Sequence, residues 1–231
     1  MTSPPDPDSS LDVDLVVLDV NETLSDLRPL QQAFTDVGLP SHLSRLWFAS
    51  VLRDGFALTI GGGRPRFADL GGDALRALLV EHHLDGDTDA AVRRVLEVFL
   101  DLDTHPDVPD GLRRLAGGRR VVTMSNGAAR VAERLLERAG VRDTVEKVLS
   151  VDDAGTWKPS RRAYDYALET CGVDAGRAAL VAVHPWDVDG ARRAGMVGVW
   201  VRRSGEPWPS SFPPADATVT GLGDLADRLG C

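Results

Sequence analysis

The chain has 231 residues, 43% of them hydrophobic, and a formal net charge of −9. This length suffices for one large domain or two modest ones with a substantial core. The acidic balance speaks against nucleic acid or an anionic membrane as partner, since both demand basic patches, and no apolar run approaches the roughly 20 residues that span a bilayer.

Residues 1–10 read as a disordered leader, rich in Pro, Ser and Asp; no Lys or Arg occurs before Leu15, so the start lacks the basic region of a signal peptide. The run Leu15-Val16-Val17-Leu18 predicts a short strand buried on both faces, ending abruptly in Asp19. Ser25-Asp26 predicts a helix start. From residue 28 to 103 the pattern is helical throughout: Leu43, Leu46, Trp47, Val51 and Leu52, then Leu75, Leu78 and Leu79, then Val92, Val95, Leu96 and Phe99 recur at spacings of three and four. Gly61-Gly62-Gly63 separates two of these helices. From Thr104 strand and helix patterns alternate. Arg120–Met124, Lys147–Val151, Ala179–Val183 and Val197–Val201 predict strands, Ala217–Val219 a weak edge strand, and 128–139 and 160–171 helices, with Gly172 ending the second. Alternation of this kind predicts an α/β fold with a doubly wound parallel sheet, built from residues 11–27 and 104–231, into which an all-helical cap (28–103) is inserted. Cys171 and Cys231 show no disulfide or metal pattern, and the expected compartment is cytoplasmic.

Four polar groups follow four predicted strands: Asp19, Ser125 with Asn126, Lys158, and Asp187. All strand ends of a parallel sheet face one edge, so these groups converge where open α/β sheets place their chemistry. Taken singly, each has a structural explanation: a surface lysine, a helix cap, a turn aspartate. Together and in this order they predict a catalytic site. Asp19 is the candidate nucleophile, Lys158 the cation that keeps it ionised, and Thr23 a hydrogen-bond donor to its carboxylate. Ser125 and Asn126 are candidates to hold an oxyanion. Asp187 is a candidate to orient Lys158 or to act as base toward water.

In Asp19-Val20-Asn21-Glu22-Thr23, Ser125-Asn126-Gly127, Lys158-Pro159 and Asp187, with a helical insertion after the first motif, the chain resembles the haloacid dehalogenase superfamily along nearly its whole length. Lys158-Pro159-Ser160-Arg161-Arg162-Ala163-Tyr164 and Trp186-Asp187 with Gly190-Ala191 are similar to the type II (S)-2-haloacid dehalogenases. That resemblance implies a Rossmann-like core, an aspartyl-ester mechanism, no cofactor, and a small 2-haloacid as substrate. It implies substrate-binding roles for Asn21, Phe48, Tyr164, His184 and Trp186, with Tyr164 toward the substrate carboxylate. The family's halide-binding arginine follows a tryptophan on an early cap helix. Here Phe48 follows Trp47, so Arg53 or Arg45 is the expected replacement. His184 stands where the family has asparagine.

Most of the superfamily resembles magnesium-dependent phosphohydrolases with a second aspartate two residues after the nucleophile, where this chain has Asn21. A phosphate oxygen 4 Å from Asp19 is repelled by about 4 kcal/mol per charge at an effective dielectric of 20, which favours carbon–halogen displacement. A phosphatase requiring Mg and a non-catalytic binding protein stay open as alternatives, as does a homodimer.

Overall fold

The computed structural model describes residues 11–83 and 86–231; the leader expected at residues 1–10 lies outside the described residues. In chain order, β1 (Leu15–Leu18) is followed by α1 (Pro29–Asp36), α2 (Leu43–Ile60), α3 (Phe67–Glu81), α4 (Thr88–Leu100) and α5 (Val108–Gly118). Then come β2 (Arg120–Ser125), α6 (Ala129–Arg138), β3 (Lys147–Ser150), the single turn α7 (Val151–Ala154), α8 (Arg161–Cys171) and β4 (Ala178–Ala182). The chain closes with α9 (Pro185–Arg193), β5 (Val197–Val201), β6 (Ala217–Val219) and α10 (Leu222–Leu229).

The six strands form one parallel sheet in the order β3-β2-β1-β4-β5-β6. The chain builds one half outward from β1, then crosses back and builds the other half from β4. β1 and β4 therefore flank the point where the winding reverses, and their carboxyl ends open the crevice that such sheets use for ligands.

Every residue of β1 and β4 is buried, as expected of strands covered on both faces. The pleat sorts them by alternation. Leu15 and Val17 join an apolar cluster with α8 and α9, while Val16 and Leu18 join a second cluster with α5 and α10. The first cluster runs on without a break into the interior of the helices α1 to α4.

Between residues 28 and 103 the described residues form helices and no strand. Trp47 is the centre of this block: its ring is fully buried, meets Phe34, Phe67 and Phe99 at 5.8–6.3 Å, and its Nε1 donates to the Gly71 carbonyl at 2.8 Å. The entering and leaving segments run side by side. Asp26 N–H donates to Asp103 O at 2.9 Å, and His105 N–H to Leu24 O at 2.9 Å.

One expected boundary is displaced. α1 starts at Pro29, because proline is preorganised for a first helical turn. Ser25 does not cap it. Its hydroxyl lies over the Val20 carbonyl at 3.4 Å and accepts from Glu22 N–H at 3.3 Å, while Asp26 accepts from Arg28 N–H at 2.9 Å.

Candidate active site

Asp19 leaves the end of β1 with its N–H still bonded to Val181 O on β4, at 3.0 Å. Its side chain is 6% exposed. Lys158 Nζ, with no exposed side-chain surface, donates to Asp19 Oδ1 at 2.9 Å and to Asp187 Oδ2 at 2.5 Å. Thr23 Oγ1 donates to Asp19 Oδ2 at 2.6 Å and accepts from Val183 N–H at 3.1 Å, tying the loop after β1 to the end of β4. Burial pushes the Asp19 carboxyl up, but the ammonium of Lys158, His184 and the Thr23 hydroxyl outweigh it and hold the group well below the usual carboxylate range. Burial opposes the Lys158 charge, yet Asp187 and Asp19 raise its pKa above the ordinary value. A buried ammonium with two carboxylate partners is the arrangement in which such a charge survives desolvation.

The tight spot around Asp187 explains a glycine. Tyr164 Oη donates to Asp187 Oδ1 at 2.7 Å and is 1% exposed. A Cβ on Gly190 would sit 2.5 Å from that hydroxyl oxygen, so only glycine lets α9 pass over it. Burial pushes Asp187 up, Lys158 works against this, and the Asp19 charge adds to it. Asp187 is fully buried, with one oxygen on Lys158 and the other on Tyr164. The Tyr164 hydroxyl, expected toward a substrate carboxylate, is bonded to Asp187 here.

Asn126 meets the lysine as well. Its amide brackets the main chain of Lys158, accepting from Lys158 N–H at 2.9 Å and donating to Lys158 O at 3.1 Å. The side chain expected to hold an oxyanion is thus bonded to the Lys158 main chain through its oxygen and one of its two amide hydrogens. Ser125 Oγ accepts from Gly127 N–H at 2.9 Å and lines a cavity together with Asn21. Arg53 is corrected as well: its side chain is 70% exposed and forks onto Asp54 at 2.7 and 3.0 Å, outside the site. Arg45 is exposed on the same helix.

His184, which opens α9, touches two carboxylates. Nδ1 is 3.3 Å from Asp19 Oδ2 and Nε2 is 2.9 Å from Glu22 Oε2. Burial lowers its pKa, but hydrogen bonds and charge from Asp19 and Glu22 raise it to about 9. Phe48 and Trp186, both expected at the site, stack on the imidazole with centroids at 6.3 and 5.0 Å. Glu22 was absent from the expected site residues. It occupies the left-handed region at φ 63°, a strained conformation for glutamate that persists only when surroundings fix it. The Ser25 hydroxyl on its N–H and His105 Nε2 on its carbonyl, at 3.0 Å, supply that restraint. Adjacency of β1 and β4 is the signal that could have paired Glu22 with His184 in advance.

The donor set does not suit magnesium. Both Asp187 oxygens are engaged, Asn21 replaces the second aspartate, and among the described residues no group of three or more His, Cys, Asp or Glu side chains is placed to hold a metal ion. No step below runs through one.

A parallel doubly wound sheet with an aspartate–lysine pair at its carboxyl edge and a helical block inserted after the first strand is the haloacid dehalogenase architecture. The chain belongs to the haloacid dehalogenase-like hydrolases, whose family model matches residues 13–195. It is 30% identical over 213 residues to an (S)-2-haloacid dehalogenase of Pseudomonas sp. strain YL, covering 90% of each chain. It is 28% identical to haloacetate dehalogenase H-2 of Moraxella sp. strain B, covering 90% of this chain and 93% of that one. A crystal structure of a dehalogenase with intermediate complex superposes with a TM-score of 0.88 at 27% identity, covering 95% of this chain and 98% of that one.

Proposed function

We propose that this protein hydrolyses the carbon–halogen bond of (S)-2-haloalkanoic acids by way of an ester on Asp19. The relatives named for that activity support this reading, and the observation that carries it is the buried Asp19–Lys158 ion pair at 2.9 Å. An oriented, ionised, desolvated carboxylate recovers the roughly 7–11 kcal/mol that positioning can contribute to such an attack.

In the first step an Asp19 oxygen bonds to C2 from the face opposite the halogen. The C2–halogen bond breaks, its electron pair leaves with the halide, and C2 inverts. In the second step water attacks Cγ of the ester. The Ser125 hydroxyl and the backbone amides after Asp19 are assigned to the oxyanion.

His184 with Glu22 is assigned as the base for that water, since Asp187 is fully buried. In the free enzyme the imidazole is protonated and paired with Asp19. Esterification removes the Asp19 charge that supports the imidazolium, so it releases its proton to solvent. The neutral ring then takes a proton from the attacking water, with Glu22 holding Nε2–H. As the Cγ–O bond to the 2-carbon breaks, that proton passes to the departing oxygen. The second water proton restores the imidazolium as Asp19 regains its charge. One proton, one halide and one 2-hydroxy acid leave per turnover.

We also assign residues 28–103 as a cap and 11–27 with 104–231 as the catalytic core, joined by the paired segments at residues 24–26 and 103–105. The reading is tested by halide release from (S)-2-chloropropionate, with chelator present, by wild type and Asp19→Asn. Release by wild type alone is expected; no Asp19-dependent release from any of several haloacids overturns it.

A further inference from the structure

A cavity of about 330 Å³ opens beside the reaction centre, between α3, α4 and the start of α6. Its inner wall holds Asn21 and Ser125, the residues that follow β1 and end β2. Much of the remaining lining is apolar, Phe67, Leu96, Phe99 and Val131 among it. An aromatic row joins it to the site. Phe48 stacks on His184 at 6.3 Å and tilts onto Phe67 at 6.1 Å, and Phe67 stacks on Phe99 at 5.0 Å. The charged residues around it offset one another, with Arg66 forked onto Asp69 at 2.8 and 3.1 Å, and Arg130 and Asp152 contributing one charge of each sign.

The volume lies within the range, about 300–1,000 Å³, of pockets that enclose drug-sized ligands. A water molecule takes about 30 Å³, so a haloacetate leaves most of this space unfilled. Its charged side chains sum to zero, so the walls offer no net charge for a second anionic group, and eight of the fourteen lining residues carry no hydrogen-bonding side chain. From this we infer that the cavity is a subsite for an uncharged hydrocarbon substituent on C2, and that the preferred substrates are 2-haloalkanoic acids with an extended apolar chain, longer than halopropionate. The inference rests on the dehalogenase reading for the reaction and on the cavity for the chain.

The experiment measures kcat/KM for halide release from bromoacetate and from (S)-2-bromopropionate, 2-bromobutyrate, 2-bromohexanoate and 2-bromooctanoate, using wild type, Ala68→Phe and Ala128→Leu. Both alanines line the cavity, on different elements, and neither belongs to the reacting groups. Wild type is expected to gain about fourfold per added methylene until the space is full, the equivalent of about 0.8 kcal/mol per buried CH2. Each variant is expected to flatten that rise while keeping bromoacetate turnover. A wild-type profile that is flat or falls beyond bromopropionate overturns the inference. If no haloacid is turned over, the dehalogenase reading fails, and calorimetry with octanoate and propionate then decides the subsite alone. Tighter octanoate binding that is lost in Ala68→Phe and Ala128→Leu supports the subsite; equal binding of the two acids overturns it.

Discussion

Nε2 of His184 lies 2.9 Å from a carboxylate oxygen of Glu22, although 162 positions separate the two residues. The pair exists because β1 and β4 are neighbours in the sheet, so the segments leaving them share one crevice. If His184 takes the proton from the hydrolytic water, then His184→Leu slows the second step and spares the first. The expected result is a loss of roughly 10²–10⁴ in kcat, the usual worth of a positioned general base. Rapid quenching should still show one equivalent of halide per enzyme, and mass spectrometry an alkylated Asp19. Glu22→Gln should fall between wild type and His184→Leu.

The pH dependence of stability carries a sign. The folded-state pKa of His184 is raised from 6.5 to about 9. A raised value means the imidazolium stabilises the fold fully below pH 6.5, and that this contribution fades as pH climbs through 9. The shift corresponds to about 3 kcal/mol at 1.36 kcal/mol per unit. Urea unfolding at pH 6 and pH 9.5 should show wild type losing more stability across that window than His184→Asn, by an amount of this order.

Lys158 holds two buried carboxylates. Lys158→Met leaves Asp19 and Asp187 without the cation they share, and removal of one partner of such a buried set costs about 3–5 kcal/mol. Thermal unfolding should show a marked drop in Tm at pH 7, with partial recovery in Lys158→Met/Asp187→Asn. Activity should be absent from both.

Gly190→Ala drives a methyl group into the Tyr164 hydroxyl, which a Cβ there would approach to 2.5 Å. Tyr164→Phe removes the same bond to Asp187 without a clash and leaves a buried acceptor unsatisfied, worth about 1–3 kcal/mol. Both should lower Tm and kcat. Their effects should fall short of additive in the double variant, because each acts through the same Asp187 carboxylate.

Much of this was legible in the sequence. Leu15–Leu18 and Val197–Val201 are strands as their apolar runs predict, and the recurrence around Trp47, Leu75 and Val95 gives the helices of the inserted block. The four strand-end groups do converge in part: Asp19, Lys158 and Asp187 meet within hydrogen-bonding distance. What stayed hidden is the direction of each side chain. Asn126 and Tyr164 are at the expected places but point at Lys158 and Asp187, since buried donors and acceptors bond to whatever lies nearest. Arg53 has the right charge on the right helix yet faces solvent, a matter of helical phase that the mixed polarity of α2 does not fix. Glu22 is not legible as a partner of His184, because its left-handed backbone has no signature in residue type.

Trp157 precedes Lys158 in the chain and belongs spatially to the helices above it. Its ring fills the space over Gly55, where a Cβ would sit 2.2 Å away, and its Nε1 donates to Pro65 O at 2.9 Å. The residue beside Lys158 is therefore moored to the inserted helical block, so one short stretch of main chain ties the Asp19–Lys158 ion pair to the packing of α2 and of the segment before α3.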